Sequence, residues 1–536
     1  MVETLHRYAE IAIFLALAIG YFKCVYCRRT GREYGSGCPG QKPANVSADD
    51  FALLEDLGGG NMSAGVLART HSENSHRPLI CLLLFCVLSA MGNLSMSWGQ
   101  ESILDQGPPP DSVKRLSSPL DIPFIPLAPV PWLFTRFRDG VRDTLRPELE
   151  PLPSFFRDTR LTFKPRMYYF SRDNNLPDAS DNHDEAWTVG GSLDYQSGWW
   201  RDLVSIGAEV FTSQKLYGPL DRDGTTLLRK RQNEYTVVGR AYAELKYDNY
   251  AATLFRQYID TPYINKQDNR MTPNTFEAYK LVGKYRWIQV GVAYVDKIKR
   301  RNSSTFISMA EAAGAPKGHD DGAITAGARL TPSDDVSVGA INYTVPDVFN
   351  IAYAEANYTW PVTDQLGLKL QTQFTDQRDV GGDKLIGGFD TRVVSSQAAL
   401  SYKNIIFRSA FSTVSSEDAI RTPFGTYPGY LSLMVKDFNR AGETAWLLGF
   451  SYDFKRFITG LHMDFNYARG FSARDPATGK ALPDESEVDV TIDYRIESGW
   501  LRGFWIRLRN GYVDFDRKGG SINDTRLIIN YELPIL

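Results

Sequence analysis

From residue 160 to the C-terminus, large apolar and polar residues alternate along the chain. Residues 446–454 read WLLGFSYDF and residues 488–497 read VDVTIDYRIE, so that large apolar side chains recur at every second position. A period of two predicts β-strands, because successive side chains of a strand point to opposite faces of the sheet. The pattern therefore predicts an all-β structure in which one face of each strand meets apolar surroundings and the other meets water.

Two features favour a membrane barrel over a sandwich in water. The polar face carries charges strand after strand, and the apolar face carries aromatic residues near the strand ends, as in a porin wall. The connections alternate between brief turns and longer loops, of which the longest cover roughly residues 214–233, 298–321, 414–442 and 468–486. We predict a transmembrane antiparallel β-barrel of about 18 strands, with short periplasmic turns and long external loops. Residues 430–435 are a further candidate strand.

The N-terminal region lacks this alternation. Residues 78–91 are an apolar run that follows Arg69 and Arg77 and precedes small residues, which is the pattern of a secretory signal peptide. Because such signals normally begin near the first residue of a chain, we interpret residues 62–97 as a signal peptide starting at Met62. Residues 1–61 are then an upstream extension of the reading frame or, alternatively, an N-terminal membrane anchor.

Residues 98–158 are rich in proline, which cannot donate a hydrogen bond to a sheet. We predict that they form a periplasmic segment with one short amphipathic helix over residues 136–146, and that residues 159–536 form the barrel domain. All five cysteines precede residue 90, so the barrel has neither disulfides nor cysteine metal sites. The net charge of -3 gives no indication of nucleic-acid binding. The mean hydropathy of -0.30 agrees with a barrel whose strands face water on one side.

Five segments resemble, in order, the OprD family of substrate-selective outer-membrane porins. They are RLTFKPRMYYFSRD (160–173), GSLDYQSG (191–198), DNRMTPNTFEA (268–278), DFNRAGE (437–443) and DTRLIINYELP (524–534). The resemblance covers about residues 160–536, and the TFE and NRAGE segments are its most specific parts. The sequence departs from the family pattern at Ala278, where the family usually has glycine, and at the final Leu536, where outer-membrane barrels commonly have phenylalanine.

The resemblance implies an 18-stranded barrel narrowed by inward-folded loops in the outer membrane of a Gram-negative bacterium. It implies passage of small carboxylate-bearing solutes, such as amino acids, peptides or aromatic acids, along a row of basic side chains. It favours a monomer or a loosely associated trimer. The expected partners are therefore small anionic or zwitterionic solutes, outer-membrane lipid and the barrel-assembly machinery.

Strand alternation predicts which charged side chains face the lumen. The candidate pore-lining basic residues are Lys164, Arg166, Arg240, Lys246, Arg408, Arg495, Arg507, Arg509 and Arg526. In the predicted strand over residues 234–246, the opposite, outward face is predicted to include Val237, Gly239 and Leu245. Glu234, Glu244, Asp464, Asp489 and Asp493 form either an opposing acidic wall or the partners of those arginines. Arginine suits a carboxylate path because its planar fork pairs with carboxylate at two points and stays charged. The alternative is charged wall chemistry common to all porins.

The sequence predicts no enzymatic activity and no cofactor or metal. His462 and Asp464 share one strand face and could be a base and its orienting group, but no nucleophile motif accompanies them. We predict passive diffusion of small polar solutes. The alternative is a structural or adhesin barrel without an open channel.

Overall fold

The computed structural model describes residues 132–177, 183–381, 385–498, 502–516 and 519–536. The predicted upstream extension, the signal peptide and most of the proline-rich segment lie outside these residues, so those interpretations stay predictions. As predicted, the described residues contain eighteen long strands, and two short strands accompany them.

The elements follow one another in a regular order along the described chain. The strands are β1 (Arg160–Asn175), β2 (His183–Gln196), β3 (Val204–Tyr217), β4 (Tyr235–Tyr247), β5 (Tyr250–Gln257), β6 (Thr275–Tyr285), β7 (Ile288–Lys299), β8 (Phe306–Ser308), β9 (Ala323–Ser333), β10 (Val336–Val345), β11 (Phe349–Thr363), β12 (Leu366–Asp379), β13 (Asp390–Tyr402), β14 (Ile405–Val414), β15 (Thr444–Asp453), β16 (Leu461–Phe471), β17 (Glu485–Arg495), β18 (Trp505–Phe515), β19 (Gly520–Asn530) and β20 (Leu533–Pro534). The helices are α1 (Trp132–Leu149), α2 (Ser154–Arg157) and α3 (Met309–Ala313). Within the described ranges, no helix combines the length and apolar character needed to cross a membrane.

Antiparallel pairing closes the sheet on itself. Each long strand pairs with its neighbour in sequence, and β7 pairs directly with β9 because β8 is only a short strand at the end of β7. Ten residues of β1 pair with β19, from Arg166 opposite Asn530 to Asn175 opposite Ser521. The result is a closed 18-strand antiparallel barrel, which leaves no free sheet edge. Residues 430–435 lie in a loop, so the further candidate strand there is wrong.

The outer face is apolar, and its aromatic residues gather near the short turns. Examples of exposed aromatic side chains beside these turns are Tyr247, Tyr250, Tyr285, Trp287, Tyr402 and Phe457. Tyrosine and tryptophan favour the boundary between lipid and water, so these residues mark one edge of the membrane belt.

The alternation in the sequence predicted the wrong face for part of β4. A bulge lies where Glu209 pairs with Arg240 and Val210 pairs with Val238, so Gly239 has no partner of its own. Gly239 therefore faces inward, where a Cβ atom would collide with the ring of Phe211. Val237 also faces inward, because it stands directly opposite the buried Phe211, whereas the exposed Val238 faces outward. The predictions that Val237 and Gly239 face outward are wrong, because the bulge adds one residue and reverses the alternation on its N-terminal side.

Long loops fold into the barrel and fill part of it. The loop after β5 and the loop after β14 meet at Asn265, whose side-chain oxygen accepts a hydrogen bond from the Thr426 amide at 2.9 Å. Tyr263 and Phe424 from these loops join one apolar cluster with Tyr343 and Phe349 of the wall. Because β5 and β14 stand on opposite sides of the ring, the two loops together span the lumen.

Helix α1 covers the place where the barrel closes. Val141 of α1 packs with Phe163 of β1 and with the buried residues Tyr531, Leu533 and Ile535 of the C-terminal segment. The sequence predicted a helix over residues 136–146, and the observed helix is longer at both ends.

Replacing Leu533 with alanine should lower the free energy of unfolding by about 2–4 kcal/mol, because its fully buried side chain would leave a cavity at the seam. The measurement is a urea titration followed by the heat-modifiable gel mobility of the folded barrel. Leu220, which is exposed in an external loop, is the control, and its alanine variant should change stability by less than about 0.5 kcal/mol. Equal stability of both variants would show that α1 and the C-terminal segment do not support the seam.

Candidate functional site: the charged lumen wall

The charged lumen wall is formed by the inner faces of β14–β19 and β1–β4. Exposed apolar residues, such as Tyr512 on β18 and Leu245 on β4, mark the outer face of these strands. The predicted basic residues lie on the other face. Lys246 packs its ammonium over Trp199 at 4.0 Å, and Arg495 lies over Trp505 at 5.1 Å, both near the short turns.

Most basic residues of the wall have a carboxylate partner. The shortest contacts are Lys164–Asp194 at 2.8 Å, Arg166–Asp268 at 2.6 Å, Arg240–Glu209 at 2.9 Å, Arg408–Asp464 at 3.3 Å, Arg507–Asp493 at 2.6 Å and Arg526–Asp524 at 2.7 Å. Two predicted acidic residues, Asp464 and Asp493, are thus partners of arginines. Glu244 lies on the inner face near Lys280. Glu234 precedes β4, and its carboxylate accepts a hydrogen bond from the Lys215 amide at 3.1 Å.

Asp489 and its neighbour Glu487 hold a loop against the wall. The carboxylate of Asp489 accepts a hydrogen bond from the Met434 amide at 3.0 Å, and that of Glu487 accepts from the Val435 and Lys436 amides at 2.8 Å each. Both carboxylates are fully buried. We call this contact the loop anchor. Three consecutive backbone N–H groups directed at these two carboxyl groups fix the loop inside the barrel.

Arg526 connects the loop anchor to the strand that closes the barrel. Its guanidinium pairs with Asp524 through two bonds of 2.7 and 2.8 Å and donates to the Met434 carbonyl at 3.1 Å. Arg172 of β1 also pairs with Asp524, at 2.7 Å. Arg509 stands directly opposite Arg526 in the register of β18 and β19. Two like charges opposite each other repel, so this row concentrates positive potential on the wall.

Two arginines from loops add to this potential, and the sequence reasoning did not select them. Arg270 donates to the Thr225 carbonyl and the Thr226 hydroxyl at 2.8 Å each, and Arg301 donates to the Asn269 side-chain oxygen. These acceptors are neutral, so they leave the guanidinium charges in place. Burial and the nearby Arg526 lower the pKa of Arg301 to about 10, and it stays charged at neutral pH.

The sequence does carry a signal for both. Arg270 lies in the DNRMTPNTFEA segment, and Arg301 ends the basic run KIKRR at 297–301. Strand alternation could not have found them, because it assigns directions only within strands.

The His462 cluster does not form a hydrolytic site. Asp464 accepts from the Ser451 hydroxyl and lies 3.1 Å from Nε2 of His462. A serine nucleophile needs a histidine between itself and the carboxylate, whereas here the carboxylate lies between the serine and the histidine. The cluster is a polar contact of the wall that also includes Arg408.

Comparison with known proteins identifies relatives of the barrel. The sequence model of the outer membrane porin, OprD family, matches residues 153–535. Porin D of Pseudomonas aeruginosa is 22% identical over 439 residues, which cover 74% of this chain and 96% of that protein. The porin-like protein GalP of Pseudomonas putida is 22% identical over 400 residues, covering 71% and 93%.

Solved porin structures share the fold. OccK9 (OpdG) of Pseudomonas aeruginosa superposes with a TM-score of 0.65 at 24% identity, over 71% of this chain and all of that one. A BenF-like porin from Pseudomonas fluorescens Pf-5 gives a TM-score of 0.64 at 19% identity, over 71% and 100%. The structure of Pseudomonas aeruginosa OpdK with vanillate gives 0.62 at 23% identity, with the same coverage.

Proposed function

Because this chain belongs to the OprD family of outer membrane porins and is therefore a passive outer-membrane channel for small solutes, we propose that its lumen selects solutes that carry a carboxylate. The observation that carries the proposal is the direct opposition of Arg509 and Arg526, beside Arg270 and Arg301. These guanidinium groups are largely buried, so they attract a passing anion through the positive potential that they add to the wall. Family membership favours a channel over the adhesin or purely structural alternative.

The ion pairs of the other basic residues fit a wall along which a solute passes better than a site that binds the solute tightly. Arg507 uses Nε and Nη2 on Asp493, which leaves Nη1 with two hydrogens for a passing anion. Conduction requires several sites that bind weakly, so that the solute can enter and leave each one. Partly neutralised arginines meet this requirement, because their carboxylate partners reduce the attraction at each step.

One relative supports a carboxylate as cargo. The solved OpdK structure contains vanillate, which is a small aromatic carboxylate. That ligand belongs to OpdK and indicates only the chemistry to test first here. The monomeric or loosely trimeric state, the use of the barrel-assembly machinery and the periplasmic position of residues 98–158 stay predictions.

Replacing Arg507 and Arg509 together with glutamine should lower the flux of a small carboxylate by roughly three- to tenfold relative to a neutral solute of equal size, because two charged hydrogen-bond donors are lost. Glutamine is preferred to glutamate because Asp493, only 2.6 Å from Arg507, would repel a new carboxylate. The measurement is liposome swelling across paired solutes.

The control for this variant is Arg392→Gln, which removes a half-exposed arginine from the outer face of β13. It should leave both fluxes unchanged. Equal loss of carboxylate and neutral flux in the double variant would contradict selection by the charged lumen wall.

A further inference from the structure

We infer that the wall opposite the charged lumen wall binds the hydroxyl groups of the solute, so that the channel favours polyhydroxylated carboxylates over unsubstituted ones. The inference deepens the proposed function and rests on it for the carboxylate end of the solute. Its basis is a row of four neutral side chains, Ser337, Asn357, Gln371 and Gln397, which we call the amide belt.

The amide belt is a continuous hydrogen-bonded row across four strands. Gln397 donates to Gln371 at 3.1 Å, Gln371 donates to Asn357 at 2.8 Å, and Asn357 donates to Ser337 at 3.2 Å. Each residue stands directly opposite the next in the strand register. The row therefore runs around the barrel, at right angles to the strands.

The amide belt faces the lumen. On each strand the exposed apolar residues that mark the outer face, such as Val338, Tyr358 and Leu370, occupy the alternate positions. The four belt residues are half-buried, so water and solutes reach them. In the ring of strands, β10 is the ninth and β19 the eighteenth, so the belt begins half a circuit away from Arg526.

The belt's chemistry suits hydroxyl groups. Within the row, each amide N–H₂ group uses one hydrogen, and each bonded carbonyl oxygen uses one of its two lone pairs. The remaining donors and acceptors alternate along the row and carry no charge. The hydroxyl groups of a sugar-like chain both donate and accept, so they match this alternation. An ammonium group only donates, and a carboxylate would bind it more strongly than these neutral groups do.

The test compares two six-carbon anions, gluconate and hexanoate. Gln371→Met combined with Gln397→Met keeps side-chain length but removes the hydrogen-bonding groups. We expect the ratio of gluconate to hexanoate flux in liposomes to fall roughly three- to tenfold, as for the loss of about one to two hydrogen bonds. An unchanged ratio, or equal loss of both fluxes, would overturn the inference and show that the amides bond only to one another.

A matched control lies one residue away on the same two strands. Thr372 and Ser396 bond to each other at 3.0 Å on the outer face. Thr372→Val combined with Ser396→Ala should leave the ratio unchanged. A fall in the ratio with this control as large as with the belt variant would overturn the inference.

A neutral pair separates this inference from the proposed function. The belt variant should lower sorbitol flux relative to 1,6-hexanediol, whether or not the arginines select carboxylates. The Arg507→Gln and Arg509→Gln variant should leave that neutral ratio unchanged while lowering the flux of both anions. If the belt variant left the ratio of sorbitol to 1,6-hexanediol flux unchanged, only the inference about the amide belt would be contradicted. If the arginine variant left the flux of both anions unchanged, only the proposed selection of carboxylates would be contradicted.

Discussion

Replacing both carboxyl groups of the loop anchor with amides, by Glu487→Gln and Asp489→Asn, should raise the single-channel conductance and expose the loop between β14 and β15 to protease. The two carboxylates accept three backbone hydrogen bonds from Met434, Val435 and Lys436. Glu487 uses both carboxyl oxygens for these bonds, whereas glutamine has one acceptor oxygen and an N–H₂ group that cannot accept. At least one backbone N–H then stays buried without a partner, which costs about 1–3 kcal/mol. A loss of about 2 kcal/mol would raise the detached population roughly 30-fold.

The wall is shaped for the attached position of this loop. Gly511 lies beside the anchor, and a Cβ atom there would come within 3.1 Å of the Val435 side chain. Detachment should widen the lumen because the loop lies inside it. Planar-bilayer recordings and protease digestion of liposomes measure the two effects.

The control makes the same glutamate-to-glutamine replacement in this loop, away from the anchor. Glu417 is exposed in the same loop, and Glu417→Gln should alter neither conductance nor cleavage. A loop-anchor variant with wild-type conductance and wild-type protease resistance would show that other contacts hold the loop.

Replacing Arg526 with methionine should destabilise the barrel by about 3–5 kcal/mol. The guanidinium is almost completely buried and makes two bonds to Asp524, which is itself fully buried. Removal of one partner of a buried ion pair leaves a charge without its compensation, and Arg172 replaces only part of it. The variant also loses the bond to the Met434 carbonyl. Urea unfolding followed by tryptophan fluorescence measures the change.

An exposed ion pair provides the comparison. Arg469 lies 2.7 Å from Asp516 at the external end of the barrel, and both side chains are about 40% exposed. Arg469→Met should cost less than about 1 kcal/mol, because solvent already screens the pair. If the two variants lost equal stability, burial would not be what makes the Arg526 pair important.

The barrel fold could be predicted from the sequence, whereas the contacts inside the lumen could not. Alternation located every long strand, because lipid on one side and water on the other impose it over many residues. It failed at Val237 and Gly239, where the single extra residue of a bulge reversed the direction of the side chains. Bulges leave little trace in a pattern of period two.

Pairing inside the lumen depends on contacts between distant segments. The sequence indicated that Asp489 faces inward, but its bond to Met434 joins residues 55 positions apart. Arg270 and Arg301 reach the wall on loops, whose paths follow from packing rather than from local periodicity. Residue direction within a strand is therefore predictable here, whereas the partner of each charge is not.

The most direct test of carboxylate selection is the reversal potential of the purified protein in a planar bilayer. With a gradient of the potassium salt of a small carboxylate, the channel should open in discrete ohmic steps and reverse near the equilibrium potential of the carboxylate anion. Reversal near the potassium equilibrium potential would contradict carboxylate selection. A bilayer that contains folded, heat-modifiable protein but shows no current would contradict an open channel.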